Sequence, residues 1–197
     1  VVNALGWEQF SLLGHSRGAI IASLVAASFP ERVTHLVKLD ALMPQPVAES
    51  KFSSQLRDFI DQKNYWLARE NTVISSIDVA VASRVKGGLS AAAARLLVDR
   101  NLRPCAGGFT WTTDMRLRGA SAVKLSAGQI QAVLEGLVMP HLLLLTEDSM
   151  RQREDFLAKA VQFCPDMELA IVEGGHHFHM EPAVGTVATQ ISHFLQG

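Results

Sequence analysis

The chain has 197 residues, a length sufficient for one domain with a sizeable core. Its formal net charge is −1, and 48% of its residues are hydrophobic, as is ordinary for a globular protein. A charge this close to neutral gives no reason to expect nucleic acid or an anionic membrane surface as a partner, and no apolar run approaches the length of a membrane span. Two cysteines, Cys105 and Cys164, form neither a disulfide framework nor a metal-binding pattern, so free thiols in a reducing, cytoplasmic compartment are expected.

The first predicted elements form a strand–helix–strand unit. A short apolar strand spans residues 10–13, a small-residue helix spans residues 19–28, and a second strand spans residues 33–39 and ends at Asp40. Two strands joined by a helix in this way pair in parallel through a right-handed crossover. Residues 1–5, before the first strand, are predicted as the end of an amphipathic helix.

Residues 43–137 have helical periodicity, and no strand pattern is found between residues 42 and 137. Helices are predicted there at residues 52–67, 73–85, 90–99 and 126–137, with a loop rich in large side chains at residues 104–121. This pattern indicates a helical cap inserted into one core. We therefore expect core segments at residues 1–42 and 138–197 and a cap at residues 43–137.

The sheet resumes after the predicted cap. The expected elements are strands at residues 141–145 and 168–172, helices at 151–164 and 183–195, and loops at 146–149 and 173–179. In an open parallel sheet, the loops at the carboxyl ends of the strands carry the functional residues. Four such ends can be identified here, and they carry a serine, several carboxylates and a group of histidines.

A G-x-S-x-G motif at residues 14–18 joins the first strand to the first helix. A serine on such a sharp turn is exposed, and its backbone is strained. We expect Gly14 and Gly18 to be required, because a side chain at either position would collide with the neighbouring strand and helix. Ser16 is the candidate nucleophile, and the backbone N–H of Arg17 is the candidate donor to an oxyanion.

A group of histidines follows the last predicted strand. His176 comes after two glycines, in a loop suited to reach Ser16, and it is the candidate general base, with His177 and His179 as alternatives. A metal at this group is disfavoured because the spacing is not a usual ligand pattern, and no cofactor motif is present. His15 is expected to pack or hydrogen-bond locally, and it is also a candidate pocket residue.

The carboxylate that would orient the histidine is open between three residues. Asp40 ends the strand after the nucleophile, whereas Glu147 and Asp148 follow the strand at residues 141–145. All three positions can reach a histidine in such a sheet. With any of them, the chain order is serine, acid, histidine, which is the layout of acyl-transfer enzymes built on parallel sheets.

Together these residues resemble an α/β-hydrolase and, within that superfamily, the serine hydrolase-like proteins. The resemblance to the superfamily rests on two segments: the nucleophile turn, which is the G-x-S-x-G motif at residues 14–18, and the histidine loop at residues 173–179. The similarities to the smaller family lie at residues 108–117, 141–145 and 175–182. The resemblance covers essentially the whole chain, and it implies an α/β-hydrolase fold: a parallel sheet flanked by helices, with an inserted helical cap.

The chain departs from the pattern of the α/β-hydrolase superfamily in two respects. Many members carry the acid at the position that Ser149 occupies here, whereas others carry it where Asp40 stands, so Asp40 is the preferred acid and Asp148 the alternative. The family fold also begins with further strands, one followed by a loop that donates a second oxyanion N–H. We expect these strands to belong to a longer protein of which this chain is the C-terminal part.

The sequence predicts a serine hydrolase that cleaves a small-molecule ester or related acyl substrate through an acyl-enzyme on Ser16. The large side chains of the cap are candidate pocket residues, namely Trp66, Phe109, Trp111 and Met115. Two alternatives remain, because fold does not fix the reaction. One is a C–C bond hydrolase on the same fold, and the other is a truncated, non-catalytic homologue that retains the motif.

Overall fold

The computed structural model describes residues 1–152 and 154–197, which form two compact units. The first unit comprises Val1–Pro46 and Leu125–Gly197, and the second comprises Val47–Lys124. In chain order the elements are β1 (Phe10–His15), α1 (Arg17–Ser28), β2 (Val33–Leu39), α2 (Phe52–Leu67), α3 (Ile77–Lys86), α4 (Ala91–Asn101), β3 (Leu102–Cys105), β4 (Gly108–Trp111), α5 (Ala127–Glu135), β5 (His141–Thr146), α6 (Glu147–Gln152), α7 (Glu154–Phe163), β6 (Met167–Val172) and α8 (Val184–Phe194). None of the helices in these ranges is long and apolar enough to cross a membrane.

A parallel sheet lies at the centre of the first unit, with the strand order β1-β2-β5-β6. Both faces of this sheet are packed. On one face, side chains of α1, α5 and α7 form a core with Leu36 and Leu143, and on the other, side chains of α8 pack against Val37 and Leu142. Burial on both faces explains why β5 is a continuous apolar run. Because all four strands are parallel, their carboxyl ends lie at one edge.

The second unit contains α2, α3, α4 and a two-stranded antiparallel hairpin of β3 and β4. The expectation that no strand occurs between residues 42 and 137 is therefore wrong. Gly107 and Gly108, at φ 84° and 144°, allow the tight connection between the two strands. Trp111 then packs against Val98 of α4, so pairing and packing stabilise strands that are too short to give a sequence pattern.

Two further local expectations are wrong. The predicted loop after β5 is the start of α6, because the Thr146 hydroxyl accepts a hydrogen bond from the N–H of Ser149 and the first turn is acidic. Residues 1–5 form turns rather than the end of a helix. Gly6, at φ 69°, changes the direction of the chain there, and the Arg32 guanidinium donates a hydrogen bond to the carbonyl of Trp7 at 2.6 Å.

Candidate active site

A single residue, Ser16, joins β1 to α1. Ser16 has φ 54° and ψ −121°, a conformation that costs a non-glycine residue about 1–3 kcal/mol. Its N–H donates to the carbonyl of Leu39 at 2.9 Å, and its carbonyl accepts from the N–H of Ala19 at 3.0 Å. The neighbouring strand and the first turn of α1 thus hold the strained backbone that the sequence motif predicts.

The two glycines of the motif differ in what their surroundings permit. A Cβ at Gly14 would lie 2.4 Å from the backbone carbonyl carbon of Gly18 and 2.5 Å from the nitrogen of Ala19. A Cβ at Gly18 would meet no neighbouring atom within 4 Å among the described residues. The expected collision at Gly18 is therefore wrong, because this residue lies in the exposed first turn of α1.

We expect Gly14→Ala to lower the free energy of unfolding by about 3 kcal/mol, because the overlap is with backbone atoms that cannot move independently. Gly18→Ala serves as the matched control, and it should leave stability unchanged or raise it by up to about 1 kcal/mol. Urea denaturation followed by circular dichroism measures both changes. A Gly14→Ala variant as stable as the parent chain would contradict this account of the turn.

Asp40 and His176 are in direct contact. The Nδ1–H of His176 donates to Oδ2 of Asp40 at 2.5 Å. Asp40 follows β2 directly at φ 53°, and its side chain is 1% exposed, whereas that of His176 is 45% exposed. A carboxylate bound at Nδ1 fixes the imidazole tautomer and leaves the lone pair on Nε2, which is the nitrogen able to take up a proton.

The two other candidate acids lie in a different environment. Asp148 and Glu147 are exposed residues in the first turn of α6. Asp148 forms an ion pair with Arg151, one helical turn away. Of the candidate acids, Asp40 is thus the one that contacts His176, while Asp148 pairs with Arg151 on the surface of α6.

Ser16 and Arg17 line an open cavity of about 400 Å³ in the first unit. Its other lining residues come from α1, from the segment after β2 and from α6, namely Ile20, Ala41, Met43, Pro44, Gln45 and Gln152. The cavity therefore opens at the helix N-terminus that follows the strained serine. Ser16 and the positively polarised N-terminal end of α1 thus lie together at this cavity.

His15 links the nucleophile turn to the histidine loop. Its Nε2 donates to the backbone carbonyl of His176 at 2.7 Å, although the two residues are 161 positions apart in the chain. Its ring centroid lies 4.1 Å from that of His179 and 5.2 Å from that of His177. The local packing expected for His15 is therefore present, and it places Ser16 and His176 at the same edge of the sheet.

Burial lowers the pKa of His15 to about 4, in spite of the opposing hydrogen bond to the carbonyl of His176. Burial also lowers the pKa of His179, and the neighbouring histidines lower it further. His15, His177 and His179 each offer one ring nitrogen, and these nitrogens lie within 4.8 Å of one another. The spacing of the loop histidines does not reveal this group, because its third member, His15, comes from β1.

The four predicted pocket residues of the cap all lie in the second unit. Trp66 belongs to α2, Phe109 and Trp111 belong to β4, and Met115 begins a short 3-10 turn. Trp111 is 9% exposed and packs in the core of that unit, beneath the guanidinium of Arg84 at 4.2 Å. The other three side chains are partly exposed within their own unit, and their role as pocket residues stays a prediction.

The chain belongs to the α/β-hydrolase family, whose fold model matches residues 1–183. Among curated proteins it is similar to a serine hydrolase-like protein of Danio rerio, with 28% identity over 100% of this chain and 63% of that protein. It is also similar to serine hydrolase-like protein 2 of Homo sapiens, with 27% identity over 100% of this chain and 68% of that protein. A Dictyostelium discoideum relative of the same description is covered over 54% of its length.

The chain is also similar to proteins of known structure. A hypothetical protein from Pseudomonas aeruginosa PAO1 has 32% identity and a TM-score of 0.88, over 98% of this chain and 69% of that one. A thioesterase domain from the curacin biosynthetic pathway shares the fold at 21% identity, with a TM-score of 0.77 over 96% of this chain and 67% of that domain. These matches confirm the resemblance to the α/β-hydrolases and the parallel sheet flanked by helices. The chain spans somewhat more than half of the length of the first curated relatives.

Proposed function

We propose that this chain carries the catalytic residues of a serine hydrolase that cleaves an ester or related acyl substrate. Ser16 is the nucleophile, His176 is the general base, and Asp40 orients and stabilises the histidine. The observation that carries the proposal is the 2.5 Å contact between the buried Asp40 carboxylate and Nδ1 of His176, at the same edge of the sheet as the strained Ser16. The names of the curated relatives support hydrolase chemistry.

In the proposed reaction, Nε2 of His176 takes the proton of the Ser16 hydroxyl as Oγ attacks the substrate carbonyl carbon. The negative charge on the carbonyl oxygen is stabilised by the N–H of Arg17 and the N-terminus of α1. The imidazolium then gives its proton to the leaving alcohol, which yields an acyl-enzyme on Ser16. A water molecule then gives one proton to Nε2 of His176 as its oxygen attacks the acyl carbon, and the imidazolium returns that proton to Ser16 Oγ as the acyl–oxygen bond breaks and the acid is released. Asp40 remains ionised and stabilises the imidazolium in both steps.

The second unit is the proposed cap, and its large side chains are the proposed source of substrate selectivity. Trp66, Phe109 and Met115 are partly exposed apolar groups suited to contact an apolar acyl or alcohol group. Trp111 is assigned a supporting role, because it is already buried among Ala80 and Val98 of its own unit.

Cys105 and Cys164 are free thiols in the described structure, which supports the proposal of a reducing compartment.

The proposal is tested by labelling the folded chain with a fluorophosphonate probe and locating the adduct by mass spectrometry. This reagent phosphonylates an activated serine with loss of fluoride, and it requires no knowledge of the natural substrate. We expect one adduct, on Ser16, and we expect it to disappear when the chain is denatured in urea before labelling. If the folded chain yields no adduct, or if the adduct lies on another serine, the proposed nucleophile is wrong for this chain.

A further inference from the structure

We propose that His15, His177 and His179 form a binding site for one transition-metal dication, such as Zn²⁺, which fastens the nucleophile turn to the histidine loop. The three rings come from two distant parts of the sequence, the end of β1 and the loop after β6. One ring nitrogen of each lies within 4.8 Å of those of the other two. Such a site exists only in the folded chain, because 162 positions separate His15 from His177.

The hydrogen bond of His15 prepares one ligand. A backbone carbonyl only accepts, so Nε2 of His15 carries the proton that it donates to the carbonyl of His176 at 2.7 Å. In the neutral ring the lone pair is then on Nδ1, which is the form that binds a metal. Histidine ligands in metalloproteins commonly donate their other ring N–H to a backbone carbonyl in this manner, which fixes both the tautomer and the ring orientation.

His179 provides a second, independent observation. Its Nδ1 is buried and has no hydrogen-bond partner within residues 1–152 and 154–197. Nearly all buried polar atoms in native proteins are paired, so a nitrogen of this kind requires an explanation. A cation bound through Nδ1 would give this atom the partner that it lacks.

The spacing of the rings suits a small dication. In a tetrahedral site with metal–nitrogen bonds of about 2.1 Å, two ligand nitrogens are about 3.4 Å apart, so the nitrogens need to approach by at most about 1.4 Å. Rotations of the side chains supply this movement, since the ring centroids of His15 and His179 are already 4.1 Å apart. Three imidazoles favour Zn²⁺, Ni²⁺ or Cu²⁺ over Mg²⁺ and Ca²⁺, which prefer oxygen ligands.

The proposed metal would add a restraint to a loop that is already anchored by the buried Phe178 side chain and by the contacts of His176 with His15 and Asp40. Gly174, at φ 112°, and Gly175 precede His176, and a Cβ at Gly175 would meet nothing within 4 Å in the described chain. With His15 and His177 on one cation, the backbone of His176 is held from both sides. The proposed metal therefore stabilises the contact between the end of β1 and the loop after β6, and it takes no part in a reaction. The inference does not depend on the proposed function.

The test is thermal unfolding of the 197-residue chain, followed by circular dichroism after removal of metal with a chelator. At a hundredfold excess over the dissociation constant, Zn²⁺ is expected to raise Tm by roughly 5–10 °C, and added chelator should reverse the rise. Mg²⁺ at the same concentration should leave Tm unchanged. Isothermal titration calorimetry should give one Zn²⁺ per chain.

Variants locate the site. We expect His179→Gln and His15→Gln each to weaken Zn²⁺ binding at least about tenfold. His193→Gln, at an exposed histidine on α8, is the matched control and should bind as the parent chain does. The proposal is overturned if Zn²⁺ does not shift Tm, if Mg²⁺ shifts it equally, or if His179→Gln binds Zn²⁺ as tightly as the parent. Fluorophosphonate labelling reports on Ser16 separately, so the failure of one proposal does not imply the failure of the other.

Discussion

Replacing Ser16 with alanine is expected to lower the rate of hydrolysis of a short-chain p-nitrophenyl ester by roughly 10⁴- to 10⁶-fold, because no other group of the site can form the acyl-enzyme. The free energy of unfolding should change by less than about 1 kcal/mol. Alanine and serine have a similar preference against φ 54°, and the Ser16 hydroxyl makes no capping hydrogen bond to α1. Initial rates and urea denaturation measure the two quantities on the same preparation.

The matched control is Ser11→Ala, on the same strand. The Ser11 hydroxyl is exposed and contacts the Thr34 hydroxyl at 3.0 Å, away from the carboxyl edge of the sheet. We expect this variant to hydrolyse the ester at the rate of the parent chain. If Ser16→Ala keeps more than a few per cent of the parent rate while Ser11→Ala is unchanged, the nucleophile is another residue.

Elements with strong local signals could be predicted from the sequence with their bounds. β2 is an apolar run closed by Asp40, and α2 has the periodicity of an amphipathic helix, and both occur at the predicted residues. β1 is longer than predicted, since Gly14 and His15 still pair with Lys38 and Leu39 of β2. Neither residue has a strand preference, so this extension is determined by the neighbouring strand and not by local sequence.

Elements that depend on distant contacts could not be predicted. The hairpin of β3 and β4 has four residues in each strand, and Pro104 weakens the pattern of the first. Its stability comes from mutual pairing and from the burial of Trp111 against α4, which only the folded unit provides. The position of His15 beside the loop after β6 likewise follows from the sheet order and not from a sequence signal.

The choice among the three acids also depends on tertiary structure. In the sequence, Asp40, Glu147 and Asp148 all follow strands of one parallel sheet, so their positions leave the acid open, and only the resemblance to the α/β-hydrolases favours Asp40. The structure distinguishes them by burial and by partner: Asp40 contacts His176, whereas Asp148 pairs with Arg151 at the surface.

Asp40→Asn is expected to lower kcat on the same ester by roughly 10⁴-fold. Asparagine has nearly the same shape, but it carries no charge to stabilise the imidazolium, and its amide N–H₂ can favour the wrong imidazole tautomer. The ordered contact at 2.5 Å and the burial of the carboxylate make both losses large, because solvent cannot replace the missing charge. Stopped or continuous assays at saturating ester give kcat, and circular dichroism verifies that the variant is folded.

Asp148→Asn is the matched comparison, since it makes the same chemical change at the alternative acid. Its side chain is 75% exposed and paired with Arg151 on the surface, away from the contact between Asp40 and His176, so kcat should stay within about twofold of the parent value. The lost ion pair should cost at most about 1 kcal/mol of stability. A large loss of kcat in Asp148→Asn with none in Asp40→Asn would identify Asp148 as the acid. If both variants keep full activity, the contact between Asp40 and His176 has no part in the reaction, and the proposed mechanism must be given up even if Ser16 is labelled.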